Sequence, residues 1–398
     1  MRVGLSTLMI QRGQTGVAQY VFALMQALLR RPEAHEYILF VLEEDLPLFE
    51  FARSSVRLVP VSEKFRSPIP NIFWHQTALP RYVRQLGLEV LHVPSYRRLL
   101  WPRPCALVGT IHDLAPFLVA RKYDAKRMFY GRVVVKRLAR RQDRIIAISH
   151  NTARDISKFF QLRGERLTVV YNGLDHQRFF PDSRATAKRL IAERHGVSGD
   201  FFLYTARLEH PGKNHVRLLQ SFDAFKSATG SSWKLVFAGS DWQGADAIHE
   251  TIRSSPFASD IRALSFVPPA DLPALYRAAD VFVYPSLYEG FGLPPLEAMA
   301  SGCPVISSAR GALEEIVGDA AEIIDPDDTA DMARKLGELA GESIRREQLR
   351  AAGLAHAKKF NWDRTADATL EVYEQARRQF EDGRRLGGAL TSGLRAQA

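Results

Sequence analysis

Residues 286–300 read Ser-Leu-Tyr-Glu-Gly-Phe-Gly-Leu-Pro-Pro-Leu-Glu-Ala-Met-Ala, a glycine-containing turn followed by a predicted helix. An apolar run typical of a strand, residues 280–284, precedes this stretch, and a second, residues 304–307, follows it. Strand, turn, helix and strand form the βαβ arrangement, in which the backbone N–H groups of the helix start face the carboxyl edge of a parallel sheet. The stretch therefore predicts an α/β fold with a phosphate-compatible site at that edge.

The same alternation of short apolar strands and helices extends over almost all of the 398 residues. It is typical of parallel sheets covered on both faces, and the length exceeds what one ordinary core accommodates. Since the pattern restarts after Phe179-Phe-Pro181, we predict two doubly wound, Rossmann-like parallel-sheet domains, residues 1–180 and 181–360, facing each other across a cleft. Residues 383–398 have little to pack with, and we predict a disordered tail there.

The composition is that of a soluble globular protein, with 46% hydrophobic and 25% charged residues. No apolar run reaches the roughly 18 residues that a membrane span needs. Residues 1–8 are predicted to form a first strand rather than a signal peptide. The two cysteines, Cys105 and Cys303, lie far apart in sequence and suggest reduced thiols in a cytosolic protein.

Positive charge is concentrated in the first half of the chain. Residues 1–181 hold 28 Lys and Arg against 14 Asp and Glu, whereas residues 182–398 hold 26 against 30. This asymmetry indicates either solvated helix faces or a surface for an anionic membrane or a lipid-diphosphate acceptor. No motif supports nucleic-acid binding. The candidate residues for this acceptor or membrane side are Arg97, Trp101, Lys126, Arg127, Lys136 and Arg137.

Two glutamates bracket the opening turn. Glu289 is predicted on the turn and Glu297 in the first turn of the helix, so that a ligand lying across the helix start contacts both. The backbone N–H groups of Phe291, Gly292 and Leu293 suit a phosphate, and the carboxylates suit hydroxyl groups. Taken singly, each glutamate could equally be a loop acid or complement the helix dipole. The combination favours a nucleotide sugar as the ligand.

A second segment, residues 205–215, joins a predicted strand to a helix and carries Arg207 and Lys213. Two cations at the carboxyl end of a strand match a diphosphate leaving group, on which charge builds as a glycosidic bond breaks. The alternative is an ordinary basic surface loop.

Two signals in the first half are less specific. Gly16 follows the first strand, where glycine allows phosphate to approach the backbone, although the G-x-G-x-x-G dinucleotide pattern is absent. His112 ends another strand and could hydrogen-bond a sugar hydroxyl. A tight turn and a structural histidine are the alternatives. Residues 325–328, Asp-Pro-Asp-Asp, suggest a turn and helix cap rather than a metal site.

Together these segments resemble the retaining glycosyltransferases of sequence family 4, whose GT-B fold consists of two Rossmann-like domains. The resemblance covers residues 2–380 and is most specific in the E-x7-E segment, from Glu289 to Glu297. The loop carrying Arg207 and the segments 147–149 and 170–175 match as well. The family often has paired glycines at the first loop, where this chain has Thr15 before Gly16.

The resemblance implies a role for each matching residue. Glu289 would contact the donor sugar, Glu297 the ribose, and His112 the transferred sugar, while a final helix over 361–382 would return to the first domain. The predicted catalytic residues are Glu289, His112, Arg207 and Lys213. The predicted donor-binding residues are Gly16, Arg207, Lys213, Val267, Glu289, Phe291, Gly292, Leu293 and Glu297.

The resemblance also implies retaining hexosyl transfer from a nucleoside-diphosphate sugar, without a metal or other cofactor. The sequence around residues 110–114 and 286–295 is similar to bacterial mannosyltransferases of O-antigen, capsule, exopolysaccharide and lipopolysaccharide assembly. We therefore expect GDP-mannose as the donor and a lipid-linked or saccharide acceptor. A UDP-hexose transferase, an epimerase or phosphorylase of this fold, and a non-catalytic nucleotide-sugar-binding scaffold are the alternatives. We expect a cytoplasmic protein peripheral to the inner face of the plasma membrane, monomeric or weakly dimeric, with no nucleic-acid partner.

Overall fold

The structure is a computed structural model that describes residues 1–32, 35–118 and 130–395. It divides the chain into two compact units, Met1–Gly173 with Trp362–Ala398, and Leu174–Asn361. The first unit thus ends before the predicted boundary at residue 180. The reason is local packing, because Leu174 pairs with Asn361 in a short parallel bridge and Phe179 packs edge-on against Tyr276.

The first unit contains a sheet of seven parallel strands in the order β3-β2-β1-β4-β5-β6-β7. The central strands are buried along their whole length, which explains their continuous apolar sequence. The strands are β1 (Arg2–Ser6), β2 (Glu36–Leu42), β3 (Arg57–Val61), β4 (Val90–Val93), β5 (Ala106–Ile111), β6 (Arg144–Ala147) and β7 (Leu167–Val169).

Helices connect these strands, and their starts follow ordinary capping chemistry. The Thr15 and Ser149 hydroxyls each accept a hydrogen bond from a first-turn N–H group, and Pro68 occupies the first turn of the second helix. A π-helical turn, Tyr130–Val135, leads into the fourth helix. The helices are α1 (Gly16–Leu29), α2 (Pro68–Gln85), α3 (Ala115–Leu118), α4 (Lys136–Ala139) and α5 (His150–Phe160).

The second unit repeats this design with six parallel strands in the order β10-β9-β8-β11-β12-β13. The strands are β8 (Phe201–Thr205), β9 (Lys234–Ala238), β10 (Ile261–Ala263), β11 (Val281–Tyr284), β12 (Val305–Ser308) and β13 (Glu322–Ile324). The helices are α6 (Arg184–His195), α7 (His215–Thr229), α8 (Ala245–Ser254), α9 (Leu272–Ala278), α10 (Leu293–Ala300), α11 (Leu313–Val317), α12 (Thr329–Gly341) and α13 (Ser343–Ala357). Both sheets are doubly wound, which confirms the predicted α/β fold.

The last helix, α14 (Trp362–Arg395), belongs to the first unit. It buries Val372, Tyr373 and Ala376, and the Tyr373 hydroxyl lies 2.8 Å from Nδ1 of His92 on β4. The helix continues past residue 382, where the sequence predicted a disordered tail from residue 383. Residues 383–395 contain four glycines, which have low helix propensity, but the docked first turns of α14 provide a helix nucleus from which the helix extends.

Two sequence-level expectations concern the environment of the protein. Within the residues that the structure describes, no helix combines the length and the apolarity needed to cross a membrane. Cys105 and Cys303 are both buried free thiols, and burial raises the pKa of each well above its ordinary value. Both cysteines therefore act as small packing residues.

Candidate functional site

The order of the second sheet reverses between β8 and β11, and the loops that follow these two strands meet there. The N–H group of Leu287 donates to the Gly212 carbonyl over 3.1 Å, which ties one loop to the other. A reversal of this kind leaves a crevice at the carboxyl ends of the strands, where α/β proteins bind ligands. The two segments singled out in the sequence, residues 205–215 and 286–300, therefore share one site.

Lys213 and Glu289 are in direct contact at this crevice. The Lys213 ammonium donates to Oε1 of Glu289 over 2.5 Å, and the Tyr284 hydroxyl donates to the same oxygen over 2.9 Å. Both charged side chains are largely buried. The Lys213 carbonyl accepts a 2.7 Å hydrogen bond from Tyr204, which fixes the backbone of the loop.

The ionisation of Glu289 follows from these contacts. Burial alone would raise the pKa of the carboxyl, but the charge of Lys213 and the hydrogen bonds from Lys213, Ser286 and Tyr284 outweigh burial and lower the pKa below its ordinary value. Glu289 is therefore a carboxylate at neutral pH, able to accept hydrogen bonds from hydroxyl groups.

Gly311 fixes the backbone of Glu289 from the opposite side. The φ angle of Gly311 is +66°, and a Cβ atom there would lie 2.5 Å from the Glu289 carbonyl oxygen. The Ala312 N–H group donates to that oxygen over 2.9 Å. The loop after β12 thus clamps the carboxylate-bearing residue between backbone atoms, a contact for which the sequence carries no local signal.

Helix α10 begins at the second part of the opening stretch. Gly292 is its N-cap with a φ of +113°, and a Cβ atom there would meet the Leu313 side chain at 2.7 Å. Phe291 is buried and packs edge-on against Phe360, so its side chain belongs to the core. Because α10 begins at Leu293, Glu297 lies in the second turn of the helix rather than the predicted first turn.

Glu297 has a different environment from Glu289. The Tyr276 hydroxyl donates to its Oε2 over 2.8 Å and also lies 2.8 Å from the Thr205 hydroxyl. Burial raises the pKa of Glu297, and although the Tyr276 hydrogen bond and the charge of Arg178 oppose that rise, the net shift is upward. The two carboxyls of the E-x7-E segment therefore have pKa values displaced in opposite directions.

Arg207, the other predicted cation, follows β8 and is 53% exposed along its side chain. One guanidinium nitrogen lies 3.5 Å from Glu209, and the group lies 4.5 Å from the centroid of the Trp242 ring. The N–H group of Trp242 donates to the Leu208 carbonyl over 3.1 Å, so the loop after β9 holds the ring in place. Sequence reasoning missed Trp242, which lies on the loop after β9, four residues beyond the end of that strand.

The remaining second-unit predictions concern loops. Val267 is buried on the loop after β10, next to the exposed Phe266, so only its backbone is available to a ligand. Asp328 caps α12 by accepting hydrogen bonds from the N–H groups of Ala330 and Asp331, which confirms the turn-and-cap interpretation.

In the first unit, Gly16 is the first residue of α1, and a loop separates it from the end of β1. A Cβ atom at Gly16 would meet nothing within 4 Å, so this helix start is open. Thr15, the departure from the family pattern, accepts a 3.2 Å hydrogen bond from Ala18 as the helix cap. The residue therefore has a structural role of its own.

His112 follows β5 in the same unit. Its Nε2 lies 3.2 Å from the Pro94 carbonyl, and since a carbonyl can only accept, Nε2 carries the proton. Burial lowers the pKa of His112 to about 4, although Asp113 and the Pro94 carbonyl oppose that shift. The neutral ring therefore presents Nδ1 as an acceptor. It packs edge-on against Tyr20 at 4.8 Å between ring centroids.

Behind His112 runs a buried chain of hydrogen bonds that sequence reasoning did not find. The hydroxyl of Tyr20 lies 3.2 Å from that of Thr110, which lies 2.7 Å from Nε2 of His92. The other nitrogen of His92 bonds Tyr373, as described above. These side chains come from α1, β4, β5 and α14, so no local pattern in the sequence could have linked them.

The predicted acceptor or membrane side is only partly described. The Arg97 guanidinium lies 5.3 Å from the centroid of the Tyr96 ring, and the Arg141 guanidinium lies 3.5 Å from the centroid of the exposed Trp101 ring. The predicted residues Lys136 and Arg137 lie on the short helix α4, with Arg137 exposed. Lys126 and Arg127 lie outside the described residues.

Comparison with known proteins gives matches over both units. A family model described as glycosyl transferases group 1 matches residues 191–356, and one described as glycosyltransferase family 4 matches residues 14–178. The chain is 28% identical to the O-antigen chain mannosyltransferase B of Escherichia coli, over 94% of this chain and 100% of that protein. It is 30% identical to a D-inositol 3-phosphate glycosyltransferase of Nocardia farcinica, over 71% of this chain but 64% of that protein.

Among solved structures, the chain is similar to HepE from Anabaena, crystallised in complex with UDP-glucose. The TM-score is 0.74 at 18% sequence identity, with 94% of this chain and 99% of that chain covered. At this identity the likeness shows a shared fold, with both units represented.

Proposed function

On the premise that the chain belongs to the glycosyltransferases described by these two family models, we propose that it is a retaining hexosyltransferase of cell-surface polysaccharide synthesis. The donor we propose is GDP-mannose and the acceptor a lipid-linked or other saccharide. The observation that carries the proposal is the contact of Lys213 with Glu289 at the point where the second sheet reverses. A cation for a diphosphate and a carboxylate for sugar hydroxyls stand side by side there.

We assign the leaving-group side to Arg207 and Lys213. As the glycosidic C–O bond breaks, negative charge grows on the departing diphosphate, and fixed cations stabilise that charge. The N–H group of Leu293 supplies a further donor at the start of α10, where Pro294 and Pro295 have no N–H group to offer. The electron pair of the broken bond stays with the diphosphate oxygen, which leaves as part of the nucleoside diphosphate.

We assign the sugar side to Glu289 in the second unit. Glu289 is a carboxylate held by Lys213 and Tyr284, which suits it to accept hydrogen bonds from sugar hydroxyls rather than to attack carbon. We therefore propose a front-face transfer, in which the acceptor oxygen bonds the anomeric carbon on the side from which the diphosphate departs. The acceptor proton passes to the departing diphosphate oxygen, and no metal takes part.

The donor proposal has two sources of support that point in different directions. The E. coli relative that matches over its full length is an O-antigen chain mannosyltransferase, which supports a mannose donor. HepE binds UDP-glucose and shares the fold, which supports a UDP-hexose as the second candidate.

The acceptor proposal follows from charge. The excess of Lys and Arg in residues 1–181 suits an anionic inner-membrane surface or a diphosphate-linked lipid. We expect salt-sensitive association with anionic vesicles, weakened when Lys136 and Arg137 are neutralised together with Lys126 and Arg127.

A thermal-shift screen of nucleotide sugars tests the donor. Ligand at a hundredfold excess over Kd adds about 2.7 kcal/mol to the free energy of unfolding. We expect stabilisation by GDP-mannose and not by UDP sugars. A thermal shift with UDP-glucose alone would show that the donor is a UDP-hexose rather than GDP-mannose. The absence of a shift with every nucleotide sugar, together with the absence of donor hydrolysis, would contradict the proposed function.

A further inference from the structure

The first half of α2 presents two large apolar side chains to solvent. Ile69 is 81% exposed and Phe73 is 62% exposed. They are four residues apart on one helix, so they lie on the same face, one turn from each other. The opposite face of α2 is occupied, since Trp74, Leu79 and Val83 are buried in the core of the first unit. The exposed pair therefore stands at the surface of a firmly anchored helix.

Trp101 extends this apolar surface. The Gln76 side chain, one turn after Phe73, donates to the Leu99 carbonyl and accepts from the N–H group of Trp101, both over 2.9 Å. Trp101 is 49% exposed, and the Arg141 guanidinium lies 3.5 Å from its ring centroid. Ile69, Phe73 and Trp101, which we call the α2 surface, thus combine two apolar side chains with an aromatic ring that carries a cation.

The stretch of sequence that contains the α2 surface is basic. Residues 64–103 hold seven Lys and Arg and a single acidic residue, Glu89. Two of these cations are ion-paired with acids from outside this range, Arg66 with Asp45 and Glu63, and Arg103 with Asp143. Arg81 and Arg84 on α2 are exposed. Exposed apolar side chains with a basic surround match an anionic bilayer, where apolar groups enter the acyl region, tryptophan lies at headgroup level and arginines meet phosphate.

We propose that the α2 surface is the element by which this protein enters the headgroup region of an anionic membrane. Ile69 and Phe73 insert below the phosphates, and Trp101 with Arg141 lies at the phosphate level. The inference rests on the proposed function only in that a lipid-linked acceptor gives such a surface a purpose. To the electrostatic association proposed above it adds an apolar contribution from Ile69 and Phe73, which lie outside the predicted acceptor or membrane set, whereas Trp101 belongs to that set.

Vesicle partitioning of the full-length protein tests the inference. Vesicles of phosphatidylethanolamine with phosphatidylglycerol are compared with vesicles of phosphatidylcholine alone. We expect Ile69→Ser combined with Phe73→Ser to lower the partition coefficient on anionic vesicles by about tenfold or more, the scale expected when two buried apolar side chains are lost. The matched control is Ile344→Ser, which removes a 76% exposed isoleucine from α13 in the second unit and should leave partitioning unchanged.

Tryptophan fluorescence gives an independent readout. Lipids brominated along the acyl chain should quench part of the wild-type emission on binding, and Trp101→Phe should remove that quenching. Trp242→Phe, which removes the other strongly exposed tryptophan that the structure describes, should leave it in place. Quenching that survives Trp101→Phe would overturn the proposed insertion.

Two further outcomes decide the matter. Unchanged partitioning of the Ile69→Ser, Phe73→Ser variant would overturn the inference, as would self-association of wild-type protein that the same variant abolishes, since a second copy would then cover the surface. The donor thermal shift, measured without vesicles, should persist in this variant. If wild-type protein bound vesicles but showed no thermal shift with any nucleotide sugar, the proposed function would be contradicted and the membrane inference would stand.

Discussion

The hydrogen bond between the Lys213 ammonium and the Glu289 carboxylate gives one cation two tasks. Lys213 keeps the carboxylate ionised, and it is also one of the two cations to which we assign the diphosphate. A bound diphosphate would compete with Glu289 for the same ammonium group. The Glu289 oxygen that Lys213 no longer contacts could then accept a hydrogen bond from the sugar. Binding of the donor and loss of the Lys213–Glu289 hydrogen bond would therefore be coupled.

Replacing either partner of this pair should cost both stability and activity. We expect Glu289→Gln to lower the free energy of unfolding by about 1–3 kcal/mol, because Lys213 is left largely buried without its counter-charge. We expect kcat/KM to fall by about 100-fold or more through loss of electrostatic stabilisation, and Lys213→Ala to act similarly. Urea unfolding and initial transfer rates measure the two effects.

Full transfer activity in a folded Glu289→Gln or Lys213→Ala variant would sink this site assignment. Lys188→Ala is the matched control, because Lys188 also pairs with carboxylates, Asp200 and Asp280, but on helix α6. It should alter stability while leaving the apparent donor affinity as it is.

The opposite pKa displacements of the two glutamates give opposite pH dependences. For Glu289, whose folded pKa is lowered, the stabilising contribution is present above the unfolded pKa and is lost as pH falls through the folded pKa. For Glu297, whose folded pKa is raised, folding is favoured at low pH and the contribution is lost as pH rises from the unfolded pKa through the folded pKa. Glu297→Gln should therefore be more stable than wild type at neutral pH without ligand.

Urea unfolding as a function of pH checks this expectation. The Glu297→Gln variant should gain stability relative to wild type on the alkaline side of the ordinary carboxyl range and lose donor affinity at the same time. A variant that is less stable than wild type throughout would show that the Tyr276 hydrogen bond, and not burial, dominates the energetics of Glu297.

At the scale of elements, the site depends on loops that touch through backbone atoms. Gly311 on the loop after β12 meets the backbone of Glu289 on the loop after β11. Gly239 after β9 is even closer to the backbone of Ala206 after β8, since a Cβ atom at Gly239 would lie 2.0 Å from the Ala206 carbonyl oxygen, against 2.5 Å between a Cβ atom at Gly311 and the Glu289 carbonyl oxygen. These two backbone contacts thus fix the distances between neighbouring loops at the carboxyl edge of the second sheet, and they require glycine because a side chain would not fit.

A glycine substitution separates positioning from chemistry. We expect Gly311→Ala to lower activity by tenfold or more, because the new methyl group would displace Glu289 although every functional group remains; a small displacement of a reacting group can carry on the order of a hundredfold loss. The matched control is Gly230→Ala. Gly230 has a φ of +62° against +66° for Gly311, but a Cβ atom there meets nothing within 4 Å.

Both substitutions carry the same backbone penalty of about 1 kcal/mol for a left-handed residue. The two variants should therefore lose comparable stability from this source, with an additional loss at Gly311, and only Gly311→Ala should lose kcat. Equal activities in the two variants, measured with the same donor preparation, would show that the Gly311 contact does not position Glu289.

At the scale of the whole molecule, the chain leaves the first unit at Gly173 and re-enters it at Trp362. We expect Ala376→Asp, which places a carboxylate at a fully buried position on α14, to destabilise the first unit by several kcal/mol. Hydrogen exchange should then rise in β4 and β5, which α14 covers, and remain low in β8 and β11. Uniformly raised exchange in both sheets would show that the two units unfold as one.

The sequence predicted most of the architecture because parallel strands buried on both faces leave continuous apolar runs, as in β4, β5 and β11. The family resemblance also implied that residues 205–215 and 286–300 contribute to one donor site. Sequence reasoning could not place Gly311 against Glu289, or Tyr276 against Glu297, because such contacts join distant segments without any periodic pattern. The packing of Phe179 on Tyr276, close to the predicted boundary at residue 180, is a contact of the same kind.

The return of the chain to its first unit has a consequence for protein synthesis. A ribosome completes all of the second unit before it makes α14, so the nascent chain must carry an unfinished first unit throughout that time. The surface that α14 later covers, formed by α1 and the central strands, stays uncovered at the ribosome. We expect ribosome-associated chaperones to bind nascent chains of this protein longest in the interval between the completion of β7 and the emergence of Tyr373 from the ribosome.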